Sequence, residues 1–204
     1  MNYLWGILIG YAFGCIQTSY IVGLLVKKTD IRNYGSGNAG ATNAFRVFGA
    51  KLGTFCLIVD ILKGIVAVLI AKYCLENNIL LLLITGFAVI MGHNYPFYMK
   101  FKGGKGIAAS LGIFLAIDYR AFFLAGIPAL ILLATTRYMS VASLSFSALL
   151  VVFMGLFYYN QPNGVYIILM TAVFCVLAFW RHRENLKRLA NGTENKLGKK
   201  KDKK

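Results

Sequence analysis

The chain has 204 residues, 58% of them hydrophobic, with a mean hydropathy of +0.65 and a net charge of +15. That composition excludes an ordinary soluble domain and fits a polytopic helical membrane protein, with room for one set of spans and no second domain. The four cysteines at 15, 56, 74 and 175 lack any CxxC or metal-type spacing and read as packed, reduced thiols.

In chain order, the first apolar run, Leu4 to Val26, outlasts the apolar core of a signal peptide and has no basic residue before it. It is expected as a retained first span. Further runs near 53–73, 79–98, 105–119, 121–136, 140–159 and 164–180 make an all-α bundle of about seven spans the expectation. The run at 105–119 reaches only roughly 22 Å, so it is either a half-buried helix opening at a glycine-rich loop or a short span in a thinned bilayer. Turns are marked near 49–53, 77–78, 118–120, 137–140 and 160–164, and Pro128 is expected to kink the fifth run.

Seven spans put successive loops on alternating sides. Nineteen of the 22 lysines and arginines then share one side, against Lys72 and Arg120 on the other and Lys63 within the second span. By the positive-inside rule the N-terminus lies outside and the C-terminus is cytoplasmic. A five-span version, with 105–136 and 140–180 as single crossings, strands Arg137 outside, so seven is preferred. Residues 1–198 are expected as one membrane domain, and Lys199–Lys204 as a disordered basic tail against anionic headgroups.

Two glycine-rich polar loops interrupt the apolar runs. The first, Gly35 to Arg46, offers Ser36, Asn38, Thr42 and Asn43 as hydrogen-bonding side chains and Gly35, Gly37 and Gly40 as pliable backbone. Arg46 can grip a phosphate bidentately. The second, Lys102-Gly103-Gly104-Lys105-Gly106, opens into the short helix, whose N-terminus and adjacent Lys105 favour an anion. It is not a Walker A loop, which argues against nucleotides.

Asp60 and Lys63, at i and i+3, share a helix face and are expected to pair within the second span. His93 reads as a helix-end hydrogen-bonding residue. After the last span, Arg181 to Arg188 is expected as a helix with His182 and Asn185 on one face; histidine supplies acid/base chemistry near neutral pH and asparagine orients a substrate.

The segments GSGNAGATNAFRVFG, DILKG, GHNYPFYMKFKGGKGIAAS and RHRENLKRL-x-x-G-x-E, in this order over nearly the whole chain, resemble the bacterial acyl-phosphate:glycerol-3-phosphate acyltransferase (PlsY) family. Ala39 departs from the family's usual proline. The resemblance implies a seven-helix enzyme of the bacterial inner (plasma) membrane with its site on the cytoplasmic face. It would transfer a fatty acyl group from acyl phosphate to the 1-hydroxyl of sn-glycerol 3-phosphate, giving lysophosphatidic acid and phosphate, the first step of phospholipid synthesis. No cofactor, metal or acyl-CoA is implied. Partners would be the two substrates and membrane lipids, not nucleic acid, with contact to the enzyme that forms acyl phosphate left open.

Carried onto matching positions, Ser36, His182 and Asn185 would be catalytic. Gly37, Asn38, Thr42, Asn43, Gly103 and Gly104 would line the substrate phosphates, Arg46 and Lys105 would bind them, and Ser143 would contact glycerol 3-phosphate. A His-x4-Asp acyltransferase is excluded, because Tyr98 and Lys187 stand five residues after His93 and His182. A metal-dependent phosphotransferase would need clustered aspartates. A small anion transporter is the alternative, disfavoured by the lack of internal repeats and by polar motifs gathered at one face.

Overall fold

The computed structural model describes residues 1–197, so the basic tail expected at 199–204 lies outside them. No strand occurs among the described residues, and the chain separates into two compact units, Met1–Tyr119 and the remainder from Arg120. Six helical segments among the described residues are long and apolar enough to cross a membrane: Asn2–Lys27, Ala50–Leu75, Ile79–Met99, Tyr119–Thr136, Met139–Tyr158 and Gly164–Arg181.

In the first unit the span expected over 4–26 is present as Asn2–Lys27, but its helix is interrupted. Helix α1 (Asn2–Gly14) and helix α2 (Thr18–Lys27) flank an interruption at 15–17. Helix α3 (Ala41–Phe48) and helix α4 (Ala50–Ile70) meet at Gly49, whose φ of 85° suits glycine, and a π turn carries α4 to Leu75. Helix α5 (Ile79–Asn94) starts at Asn78, whose side-chain oxygen accepts the Leu80 N–H at 2.9 Å. Helix α6 (Ile107–Ile117) begins directly after Gly106 and has six of its eleven residues buried. At roughly 16 Å it is shorter than a hydrocarbon core is thick, and it crosses only where the bilayer is thinned, the short-span reading that keeps the termini on opposite sides.

Helices α1 and α5 pack backbone to backbone. A Cβ on Gly10 would meet the Thr85 carbonyl, one on Gly14 the Val89 carbonyl, and one on Gly92 the Tyr11 carbonyl. Glycine at four-residue spacing is what allows this approach between apolar helices.

Both polar loops are rooted in one apolar plug. Ile31, Ala39, Ala44, Cys56 and Met99 are at most 1% exposed, with Val22 and Ala41 beside them and Phe48 and Leu52 packed against the group. Of the cysteines, Cys15 and Cys56 are buried as expected, whereas Cys74 is exposed; all four are free thiols.

In the second unit, helix α7 (Tyr119–Thr136) continues through Pro128. Helix α8 (Met139–Tyr158) packs on helix α9 (Gly164–Arg181), and Phe122 meets Phe146 edge to face at 6.0 Å. Two buried hydroxyls of α8 and α9 are satisfied by carbonyls four residues back: Ser147 donates to Ser143, and Thr171 to Ile167. Helix α10 (Arg183–Ala190) follows α9 directly.

Candidate functional site

The first loop is held from inside. Gly35 and Gly37 adopt φ of 63° and 71°, which turns the chain at Ser36. The Asn43 side chain is 1% exposed for the whole residue and fully engaged: its oxygen accepts the Ser36 N–H at 2.9 Å, and its nitrogen donates to the Tyr34 carbonyl at 3.0 Å and the Ile31 carbonyl at 3.3 Å. The Asn38 oxygen accepts the Gly40 N–H at 3.0 Å. Ser36, Gly37 and Arg46 stay exposed, and Thr42 is half-buried in the first turn of α3. Asn43 therefore shapes the loop while Ser36 is presented by it.

The second loop is also tied down, in a way its composition does not suggest. Glycines there are expected to aim backbone N–H groups at an anion. Instead the Gly103 N–H donates to the Asn94 carbonyl at 3.1 Å and the Gly104 N–H to the His93 carbonyl at 3.0 Å. Both glycines are buried, and a Cβ on Gly104 would overlap the His93 ring nitrogen Nε2. Close packing against the end of α5 is thus what demands glycine at 103 and 104. Lys105, half-buried, comes next, and Gly106 with φ of 82° turns the chain into α6.

The two loops are joined by a residue the sequence reading passes over. Arg32 clasps Asp30 through three bonds of 2.7–3.1 Å, stacks over the Tyr20 ring at 5.1 Å and donates to the Met99 carbonyl at 2.9 Å. Its side-chain hydrogen bond holds the Asp30 carboxyl below the usual aspartate value despite partial burial. An acid two residues before an arginine, just upstream of a glycine-rich run, was the available signal.

Asp60 and Lys63 pair as expected, at 2.9 Å, both almost wholly buried. His93 is a helix-end residue as expected and also joins this pair, with Nδ1 2.8 Å from the Lys63 ammonium.

In the second unit the expected continuous helix through 181–188 is divided at His182, whose φ of −102° and ψ of 7° separate α9 from α10. The turn buries His182 to 4% exposure and places Nδ1 2.8 Å from the Ala178 carbonyl. A carbonyl accepts only, so Nδ1 carries the hydrogen and Nε2 of the neutral ring is the acceptor.

Asn185 is organised by Glu194, which also lay outside the sequence-based site set although it ends the last motif. Glu194 accepts from Asn185 at 2.6 Å, Arg188 at 2.7 Å and Ser140 at 3.0 Å. Burial alone would raise its carboxyl, but the bonds from Asn185 and Arg188 outweigh it and hold the group below its ordinary value. This link fastens α10 to the first turn of α8. Ser143 lies one turn further along α8, 6% exposed, its hydroxyl donating to the Met139 carbonyl at 2.8 Å.

No group of three or more His, Cys, Asp or Glu side chains is gathered as metal ligands would be, among the described residues. The chemistry on offer is hydroxyl, amide, imidazole, guanidinium and ammonium: groups that bind and orient anions.

Comparison with known proteins agrees with this inventory. The family model described as glycerol-3-phosphate acyltransferase matches residues 4–192. Glycerol-3-phosphate acyltransferase of Thermoanaerobacter pseudethanolicus is 42% identical over 95% of this chain and 94% of its own. That of Halalkalibacterium halodurans is 41% identical over 97% of both chains. Two crystal structures of PlsY (YgiH), an integral membrane glycerol 3-phosphate acyltransferase, cover 97% of this chain and 96% of theirs. The glycerol 3-phosphate form matches with a TM-score of 0.87 at 35% identity, and the lysophosphatidic acid form with 0.84 at 34%. The chain is an all-helical integral membrane protein and belongs to the glycerol-3-phosphate acyltransferase family.

Proposed function

We propose that this chain transfers a fatty acyl group from acyl phosphate to the 1-hydroxyl of sn-glycerol 3-phosphate, releasing 1-acyl-sn-glycerol 3-phosphate and phosphate. What carries the reading is that a structure aligned over 97% of this chain exists in a glycerol 3-phosphate form and a lysophosphatidic acid form, acceptor and acylated acceptor. The anion-transporter alternative is not favoured, since the relatives are named as acyltransferases.

Acyl phosphate is already activated, so no covalent acyl-enzyme is needed. The acceptor oxygen attacks the acyl carbonyl, the bond from that carbonyl to the phosphate oxygen breaks, and phosphate leaves with the electron pair. A substrate phosphate oxygen takes the hydroxyl proton. The protein's work is to hold two anions, offset their repulsion and orient the hydroxyl.

In this scheme Ser36 contacts the phosphoryl group of acyl phosphate, with Gly37, Asn38 and Thr42 beside it and Asn43 as the residue that positions the loop. Arg46 and Lys105 bind phosphate, and Gly103 and Gly104 set the course of the backbone to Lys105. Ser143 and Asn185 contact glycerol 3-phosphate, and His182, through Nε2, positions its phosphate. The clustering of basic residues supports a cytoplasmic-face site in the bacterial inner membrane, with the N-terminus outside and the C-terminus inside. Residues 1–198 form the acyltransferase domain, followed by the basic tail.

The test is a choice of donor. Purified protein in detergent with labelled glycerol 3-phosphate receives acyl phosphate or acyl-CoA, separately. Labelled lysophosphatidic acid from acyl phosphate alone supports the reading; product from acyl-CoA alone overturns the donor assignment.

A further inference from the structure

An ion pair at 2% and 1% side-chain exposure, in a helix apolar enough to span a membrane, calls for a reason. Taking two charges out of water is costly, and two leucines of similar volume would avoid that cost. The contacts supply the reason.

Where the first span breaks, three carbonyls lose their helical donors, and side chains replace them. Lys63 Nζ donates to Ile16 at 2.6 Å and reaches Gly14 at 3.4 Å; Tyr98 donates to Cys15 at 2.7 Å. The Asp60 carboxylate accepts from Thr18, the first residue of α2, at 3.0 Å. Irregular backbone at membrane depth persists only where protein groups satisfy it in this way.

Lys63 has three hydrogens, and three short contacts account for them: Ile16, Asp60 and His93 Nδ1. An ammonium only donates, so Nδ1 of His93 accepts and the ring hydrogen sits on Nε2, the atom packed against Gly104. The His93 carbonyl meanwhile takes two donors, Gln17 Nε2 at 2.7 Å and the Gly104 N–H at 3.0 Å. His93 is therefore in contact with the ion pair through its ring and with the loop before Lys105 through both ring and carbonyl.

We infer that Asp60, Lys63 and His93 are positioning residues. The buried pair fixes the broken first span and the His93 ring together, and through His93 sets the path of Gly103–Lys105 and hence the place of the Lys105 ammonium. The kinetic part of this inference rests on the acyl-phosphate reading; the conformational part does not.

The test compares wild type with K63M and with the double variant D60N/K63M. K63M leaves Asp60 without its cation and is the variant at risk of misfolding; the double variant removes both charges together. Both substrates are titrated, and peptide-resolved hydrogen exchange is followed in detergent. The expected result is a rise in KM of about tenfold for the substrate whose phosphate meets Lys105, with kcat changed by less than about threefold. Exchange should rise in peptides covering 13–18 and 95–106 and stay at the wild-type level within 139–181. Unchanged KM for both substrates, or exchange rising equally in α8 and α9, overturns the positioning role. Wild-type protein inert toward acyl phosphate would sink the acyltransferase reading instead, and the exchange pattern would still decide the role of the pair.

Discussion

The Arg32 guanidinium donates to the Met99 carbonyl across 2.9 Å, joining the segment that leads into the first glycine-rich loop to the segment that leads into the second. Asp30 pairs with the same guanidinium at 2.7 Å and the Tyr20 ring stacks on it at 5.1 Å, so the arginine is held in place as it makes this charge-assisted bond. Neither loop is a freely solvated turn.

Arg32→Ala removes this tie and leaves Asp30 without its partner. Loss of a charged hydrogen bond at a partly buried site costs about 2 kcal/mol, which lowers the thermal midpoint in detergent and reduces kcat/KM by about tenfold or more. Arg32→Lys keeps the charge but not the fork and should recover little of the loss. Wild-type kinetics in Arg32→Ala would show that the loops hold their places without it.

Gly104→Ala places a methyl where the His93 ring stands, whereas Gly126 in α7 has no heavy atom within 4 Å of an added Cβ. The first substitution should cut activity by about tenfold or more, and the second should be neutral or slightly stabilising. Steady-state assays alongside thermal unfolding separate the two. Equal tolerance at both positions would contradict the packing described for the loop.

Both loops, the apolar runs, the short helix after Gly106 and the Asp60–Lys63 pair were legible because each rests on local pattern: composition, length or an i, i+3 spacing. The break at 15–17 was not, because Gln17, Thr18 and Ser19 make only a brief polar step in a long apolar run, and the donors that permit it, Lys63 and Tyr98, stand 47 and 83 positions away. The direction of the Gly103 and Gly104 N–H groups was hidden for the same reason, their acceptors lying on the preceding helix. Glu194 reaches back 54 positions to Ser140, a distance no helical period encodes. Local composition and the family resemblance therefore named the candidate residues, while tertiary hydrogen bonds, which no local pattern encodes, show which of them are bound into the frame.

Glu194 supplies a pH test. Its folded value lies below the ordinary 4.5, so its contribution to stability is complete above that pH and is lost as pH falls through 4.5 toward the lower folded value. Thermal unfolding measured from pH 7 downward should show wild type losing stability in that acid window. Glu194→Gln should begin lower at pH 7, by about 2 kcal/mol, and lose less on acidification. Asp30, also held below its ordinary value, remains in both proteins and cancels in the comparison. Parallel curves would show that the Glu194 carboxylate contributes no pH-dependent stability.

His182 Nδ1 is bound to the Ala178 carbonyl, which makes Nε2 the acceptor nitrogen of the neutral ring. If the imidazole positions a phosphate and the substrate supplies the base, His182→Gln raises KM for glycerol 3-phosphate by about tenfold and lowers kcat much less. Abolished turnover with both substrates still bound at wild-type affinity would assign the base to His182.

The proposed acyl transfer from acyl phosphate to glycerol 3-phosphate needs only this chain and its two substrates, and one assay reads it directly. Purified protein in detergent, supplied with the two substrates and neither CoA nor added metal, should form lysophosphatidic acid and release phosphate in equal amounts, and Ser36→Ala should lose most of that rate. Folded wild-type protein that leaves glycerol 3-phosphate unacylated, or releases phosphate without forming lysophosphatidic acid, would contradict it.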